Sequence, residues 1–154
     1  MKVGLYNNNE LLEVSGKLID ASNILRKYIQ RHHSNNTGSF FIKIKDGSIF
    51  INDVKIVSKK ARIQYIVLKA LVNKYTDDFW KDEISFISTS EIAAILEKNG
   101  FYARDCARQV RQAISKIRMS IQQNFKNQFS NDAVIISKKW KGYRLNEYVV
   151  LGRK

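Results

Sequence analysis

The sequence predicts an α+β fold in which a short antiparallel sheet comes first, three helices follow and a β-hairpin closes the chain. Three observations carry that expectation: apolar runs broken by two turn signals over 40–57, stretches of helical periodicity between 60 and 125, and a last pair of strand-like runs around a basic turn. One further helix is expected ahead of them. At 154 residues the chain suits one domain of ordinary size with a short appendage.

The appendage is residues 1–39. Leu11, Val14, Leu18, Ala21, Leu25 and Tyr28 follow a seven-residue repeat, widened by Leu12 and Ile29, which predicts a helix over about 9–31. Gly16 costs that helix about 1 kcal/mol against alanine. Two readings stay open. The helix packs on its own domain, or it pairs with a second copy, and then Leu11, Val14, Leu18, Leu25 and Tyr28 are the dimerisation residues. The polar run 32–39 (His32-His33-Ser34-Asn35-Asn36-Thr37-Gly38-Ser39) is the linker. A domain over 40–148 and a basic tail over 149–154 complete the division.

Within the domain, Phe40-Phe41-Ile42-Lys43-Ile44 precedes Asp46-Gly47, a hairpin turn signal, and then Ile49-Phe50-Ile51. Asn52-Asp53 turns the chain again before Val54-Lys55-Ile56-Val57. A helix is expected over about 60–75 from Ile63, Ile66, Val67, Ala70, Leu71 and Lys74. The acidic stretch 76–86 is read as a loop with room for a short strand at 84–87. Ser88-Thr89-Ser90-Glu91 supplies N-cap chemistry for a short helix whose apolar face is Ile92, Ala93, Ile95 and Leu96, ending near Gly100. A longer helix over 103–125 has the stripe Ala107, Val110, Ile114, Ile117, Ile121 and Phe125. The hairpin over 133–146 then joins Ala133-Val134-Ile135-Ile136-Ser137 to Gly142-Tyr143-Arg144-Leu145. Strands, three helices and a hairpin, in that order, make a winged helix-turn-helix with an added N-terminal antiparallel sheet.

Charge narrows the function. Lys and Arg number 27 against 14 Asp and Glu, a net +13. Such a balance draws a domain to polyanions, most often nucleic acid. The excess is uneven. From Ala103 to Lys154 there are 12 Lys/Arg and 3 Asp/Glu, a net +9, whereas Asp77, Asp78, Asp82, Glu83 and Glu91 oppose only Lys81 between 77 and 91. With Ile114 of the long helix set to 0° and steps of about 100°, Ser115, Arg108, Met119, Gln112 and Lys116 fall at roughly 100–200°. Arg111 and Arg118 flank the stripe. Arg or Lys donating to guanine, Gln bridging adenine and arginines gripping phosphate suit a major groove. Arg104, Arg108, Arg111 and Arg118 are four of the nine arginines, with Asp105 the only acid among them. The hairpin adds Lys138, Lys139, Trp140, Lys141 and Arg144, a basic element able to reach a neighbouring minor groove or phosphate strand.

These segments resemble a known family. Arg108-Gln109-Val110-Arg111-Gln112-Ala113-Ile114-Ser115-Lys116-Ile117-Arg118-Met119-Ser120-Ile121 is similar to the recognition helix of the OmpR/PhoB transcription regulators, patterned R-x-V-D-V-x-I-x-R-L-R-x-x-L. Ile135-Ile136-Ser137-Lys138-Lys139-Trp140-Lys141-Gly142-Tyr143-Arg144-Leu145 resembles their wing, I-x-T-V-R-G-x-G-Y-R-L, with Gly-Tyr-Arg-Leu its most diagnostic part. The resemblance spans about 40–147. It implies phosphate contacts from Arg108 and Arg118, groove contacts from Ser115 and Lys116, and a minor-groove role for Arg144. It also implies a polymerase contact near Phe79-Trp80, although packing of Trp80 on the core is the plainer reading. Two departures matter. Arg111 replaces the usual Asp, and Trp140 replaces a wing glycine, so that the turn changes or an apolar wedge is gained. Family members carry a receiver domain ahead of this module. The 39 residues here are too few for one, so no aspartyl-phosphate switch is expected in cis and the N-terminal helix is the candidate dimeriser.

Other chemistries find little footing. None of the seven glycines falls in a phosphate-loop spacing. His32 and His33 are adjacent, which suits a solvated helix end better than a metal site. Cys106 excludes an intrachain disulfide and reads as a small packing residue, with a redox thiol as the sharper alternative. No carboxylate pair suggests acid–base work, so a non-enzymatic protein without cofactor or metal is expected. No apolar run is long enough to span a membrane, and a cytoplasmic location is the default. The expected partner is double-stranded DNA, bound by a homodimer or tandem pair, with RNA polymerase as a second partner. The rivals are a protein-interaction winged helix in a larger assembly and a non-specific or single-strand binder.

Overall fold

The computed structural model describes residues 12–22, 40–79, 81, 83–126 and 129–152. The chain divides into two units, Met1–Gly38 and Ser39–Lys154. In the first, residues 12–22 are helical (α1) and all exposed, with an ion pair of 2.7 Å between Glu13 and Lys17 one turn apart. Val14 and Leu18 of the expected heptad are therefore open to solvent. Leu11, Leu25, Tyr28 and both histidines lie outside the described residues.

The second unit is α+β. Its elements are β1 (Phe40–Lys45), β2 (Ser48–Ile51), β3 (Val54–Val57), α2 (Arg62–Asp78), α3 (Thr89–Lys98), α4 (Ala103–Asn124), β4 (Ile135–Lys138), β5 (Gly142–Leu145) and β6 (Val149–Leu151). The first two connections are two-residue turns set by backbone chemistry. Asp46 and Gly47 have φ of 51° and 74°, Asn52 and Asp53 of 47° and 63°. Positive φ at both central residues is the turn whose twist matches paired strands, and Asp, Asn and Gly are the residues that tolerate it. The register follows: Lys45 faces Ser48, and Ile51 faces Val54.

Strand β6 corrects the expected tail. Residues 149–151 pair in parallel with β1, Phe40 opposite Val149, giving a sheet ordered β3-β2-β1-β6. Val149 is buried, the Tyr75 hydroxyl of α2 donates to its carbonyl at 2.6 Å, and the Gly152 amide donates to Ile42 at 2.7 Å. A three-residue run followed by Gly-Arg-Lys reads as a tail because its partner strand lies more than a hundred positions away.

One core joins the sheet, the helices and the hairpin. Ile42, Ile49 and Ile51 meet Val67, Leu68 and Leu71 of α2, Ile92 and Leu96 of α3, Val110, Ile114, Ile117 and Ile121 of α4, and Ile135 and Leu145 of the hairpin. Helix α2 runs three residues into the stretch expected as loop. It carries Asp78 at its C-terminal end, where the helix dipole disfavours an acid. The side chain is fully buried, and Lys81 at 2.5 Å, Lys74 at 3.6 Å, the Ser85 hydroxyl and the Ser85 amide at 3.0 Å offset that penalty. Burial alone would raise the Asp78 carboxyl. The bonds from Lys81 and Ser85 and the charge of Lys74 outweigh it and hold the group well below the usual carboxylate range.

Helix α3 begins with the expected cap in full. The Ser88 hydroxyl accepts from the Glu91 amide at 3.2 Å, and the Glu91 carboxylate accepts from the Ser88 amide at 2.8 Å. The Ser88 hydroxyl donating to the Glu91 carboxylate at 2.6 Å, with the Ser88 amide, holds that carboxyl below its ordinary value. In place of a strand at 84–87, only Ile87 pairs, bridging to Tyr143.

Candidate nucleic-acid interface

Helix α4 is buried along Cys106, Val110, Ala113, Ile114, Ile117 and Ile121. Ala107, expected in that stripe, is exposed. The buried arc is centred about 50° from Ile114 toward Ala113, because Cys106 and Ala113 are buried with the aliphatic stripe and Ala107 is not. The shift turns Arg111 further outward. Arg104, Arg108, Arg111, Gln112, Ser115, Lys116 and Met119 are all exposed along the helix. Asp105 sits 3.1 Å from the Arg108 guanidinium, an exposed ion pair one turn apart.

Arg118 has a different position. Its side chain is only 20% exposed, and Nη2 donates to Asp132 at 2.8 Å, to the Ile135 carbonyl at 2.8 Å and to the Ser137 hydroxyl at 3.2 Å. The guanidinium that the resemblance assigns to phosphate instead joins α4 to β4. It is a positioning residue in this geometry.

The hairpin is fixed beside its turn by close backbone approach. Gly142 has φ of 105°, and a β-carbon there would lie 2.1 Å from the Ile87 carbonyl oxygen. Only glycine allows the paired bonds from Ile87 N to Tyr143 O at 2.8 Å and from Tyr143 N to Ile87 O at 2.9 Å. Arg144 is drawn inward as well. Its Nη1 donates to the Ile84 carbonyl at 3.2 Å, and its guanidinium lies 5.1 Å from the Phe86 ring centroid. The side chain implied for a minor groove therefore buttresses the segment ahead of α3.

What remains free at the hairpin tip is Lys138, Lys139, Trp140 and Lys141, all exposed. Trp140 is 92% exposed with φ of 67°. A left-handed backbone costs a residue with a β-carbon roughly 1–2 kcal/mol. Among the described residues its one ring contact is the Lys139 ammonium, 5.4 Å from the indole.

Two recesses flank the exposed side of α4. One of about 380 Å³ lies against the hairpin, lined by Arg111, Ser115, Met119 and Gln122 together with Ser137 and Tyr143. The other, about 400 Å³, lies against the start of α2, where Lys60 and Arg62 face Gln109, Gln112 and Lys116. The Gln109 side-chain oxygen is buried without a hydrogen-bond partner among the described residues. Lys60 and Arg62 were missed in the sequence reading. Their signal is the basic run Ser58-Lys59-Lys60-Ala61-Arg62 just before a helix that has no side-chain cap and no acid in its first turn.

Cys106 is buried, and its thiol donates to the Tyr102 carbonyl at 3.2 Å. Burial, with the charges of Glu97 and Asp105, pushes the thiol pKa up, against the lowering that a helix start beside Arg104 would produce. It packs; it is not poised as a thiolate. Phe79 is half-buried against Tyr75, ring centroids 6.1 Å apart, while Trp80 lies outside the described residues. Among the described residues no group of three His, Cys, Asp or Glu side chains can hold a metal, and no helix is long and apolar enough to cross a membrane. Comparison with protein-family models, with curated proteins and with solved structures gives no match.

Proposed function

We propose that this chain is a sequence-specific double-stranded DNA-binding transcription regulator, a winged helix-turn-helix of OmpR/PhoB type without catalytic activity. In this reading α3 and α4 are the helix-turn-helix, α4 enters the major groove, and the β4–β5 hairpin is the wing on the adjacent minor groove or backbone. The observation that carries it is the outward side of α4. Arg108, Arg111, Gln112, Ser115 and Lys116 are exposed together, opposed only by Asp105, with a lysine-rich hairpin tip on the same module. Guanidinium, ammonium, amide and hydroxyl groups in one row can grip phosphate and read base edges, which a uniformly basic surface cannot do.

The internal bonds of Arg118 and Arg144 move the phosphate contacts away from the positions that the resemblance implies. With Arg118 and Arg144 engaged inside the fold, Arg104, Arg108, Arg111, Lys138, Lys139 and Lys141 are the cations available to a backbone, joined by Lys60 beside Lys116, while Arg62 donates to the Asn99 carbonyl at 3.0 Å and lies 5.3 Å from the Phe101 ring centroid. The exposed Val14 and Leu18 of α1 support pairing of two copies. RNA polymerase as a further partner rests on the resemblance alone.

Selection of bound fragments from a random duplex pool by the full chain tests the reading. A recovered motif supports it, and a repeated motif gives the number of copies bound. Recovery of no motif, with retention by acidic protein but not by duplex at moderate salt, would replace it with a protein-interaction module.

A further inference from the structure

We propose that Trp140 is a wedge that enters a base-pair step of duplex DNA from the minor groove, partly unstacking and unwinding it. The inference deepens the proposed function and rests on it.

The hairpin turn makes the tryptophan conspicuous. Lys141 N donates to Lys138 O at 3.0 Å, which closes a four-residue turn with Trp140 third. At φ of 67° that position favours glycine. A bulky ring there works against folding, and the fold recovers little from it, since the indole is 92% exposed and among the described residues its one ring contact is the Lys139 ammonium. Strain of this kind at an exposed tip points to a gain outside the chain.

Its surroundings choose the partner. Between Ser137 and Tyr143 the hairpin has three lysines, Lys138, Lys139 and Lys141, and no acid. An aromatic ring ringed by cations fits an anionic lattice with apolar layers behind it, which describes stacked bases between phosphate strands. The same module presents Gln112 and Ser115, hydrogen-bonding groups that match base edges and have no comparable counterpart in a lipid headgroup layer.

A wedge also needs a stiff support, because unstacking a step costs energy that a pliant loop would not deliver. The two strands of this hairpin are held from three sides, from the open end to the pair beside the turn. Tyr143 is bonded twice to Ile87, Arg118 reaches Ile135 and Ser137, and Arg144 reaches Ile84.

The test is relaxation of a closed circular plasmid by topoisomerase I in the presence of the full chain, beside a gel shift on the same plasmid. Wild type and Trp140→Phe are expected to shift the topoisomer distribution. Trp140→Gly is expected to leave it unshifted while still retarding the plasmid, with affinity lowered by less than about tenfold because the lysines remain. Trp140→Gly should also melt at higher temperature than wild type, since glycine relieves the left-handed backbone. Retardation by wild type without a topological change, or an equal change with Trp140→Gly, overturns the wedge and leaves duplex binding standing. Absence of retardation by wild type overturns the proposed function and the wedge with it. Trp140-dependent binding to phosphatidylserine vesicles, with plasmid topology unaltered, overturns the wedge in favour of a bilayer.

Discussion

Arg118 and Asp132 meet at 2.8 Å, and the same guanidinium nitrogen also reaches the Ile135 carbonyl. One arginine of the most basic helix is thereby spent on joining that helix to the hairpin, and the joint sets how the two basic elements are presented together.

Arg118→Ala should therefore act through folding. Losing a mostly buried guanidinium with three acceptors is expected to cost about 1–3 kcal/mol, read from the urea midpoint. Asp132→Asn, at a half-exposed end of the same joint, should cost less than Arg118→Ala. An Arg118→Ala protein as stable as wild type, but weaker on duplex, would return this residue to phosphate contact.

Arg108→Ala and Lys116→Ala should show the opposite pattern. Both side chains are exposed, so stability is expected to stay within about 0.5 kcal/mol. Duplex affinity should fall, and each lost phosphate contact should reduce the log–log salt slope by about 0.9. Fluorescence anisotropy over a salt series measures both quantities. Unchanged affinity in both variants would remove the support for α4 as the reading element.

At Gly142 a methyl group has nowhere to go, with the Ile87 oxygen 2.1 Å from its position and φ at 105°. Gly142→Ala is expected to lower stability by about 2 kcal/mol or more, since strain and clash add. Amide exchange at Ile87 and Tyr143 should rise by more than elsewhere in the domain. Equal acceleration throughout would instead indicate global destabilisation.

Acid should reach the fold partly through Asp78. Its carboxyl is held below the ordinary aspartate value of 3.8 in the folded state. Stability from this group is then complete above that value and is lost as pH falls through it toward the lower folded value. Asp78→Asn should be less stable than wild type at pH 7, and the difference should shrink at pH 3. Urea unfolding at the two pH values checks the sign, and a gap that widens on acidification would contradict the assignment.

The Cys106 thiol should resist reagents. It is buried, bonded to Tyr102 and raised above its ordinary pKa, so alkylation is expected only through opening of the fold. Reaction with a disulfide reagent in native buffer should be far slower than in urea. Fast native reaction would reopen the redox alternative.

Much of the architecture was legible in local chemistry. Asp46-Gly47 and Asn52-Asp53 predicted two tight turns because those residues tolerate positive φ, and both turns are present. Ser88 and Glu91 predicted a helix start because a hydroxyl and a carboxylate three positions apart can satisfy each other's backbone amides. The outward row of α4 followed from the helical repeat, within a rotation of about 50°.

What the sequence by itself determined are features whose causes act over a few residues: turn type, helix caps, and the apolar and basic sides of a helix. The tertiary structure decided where each charged side chain is spent. Arg118 and Arg144 look like free cations in a motif, yet their acceptors stand as far as 19 and 60 positions away in the chain. Strand β6, paired with β1 at the other end of the domain's sequence, belongs to the same class. A guanidinium has five donors and a long flexible stem, so the carbonyl or carboxylate that folding brings within 3 Å or so captures it, and no local spacing encodes that encounter.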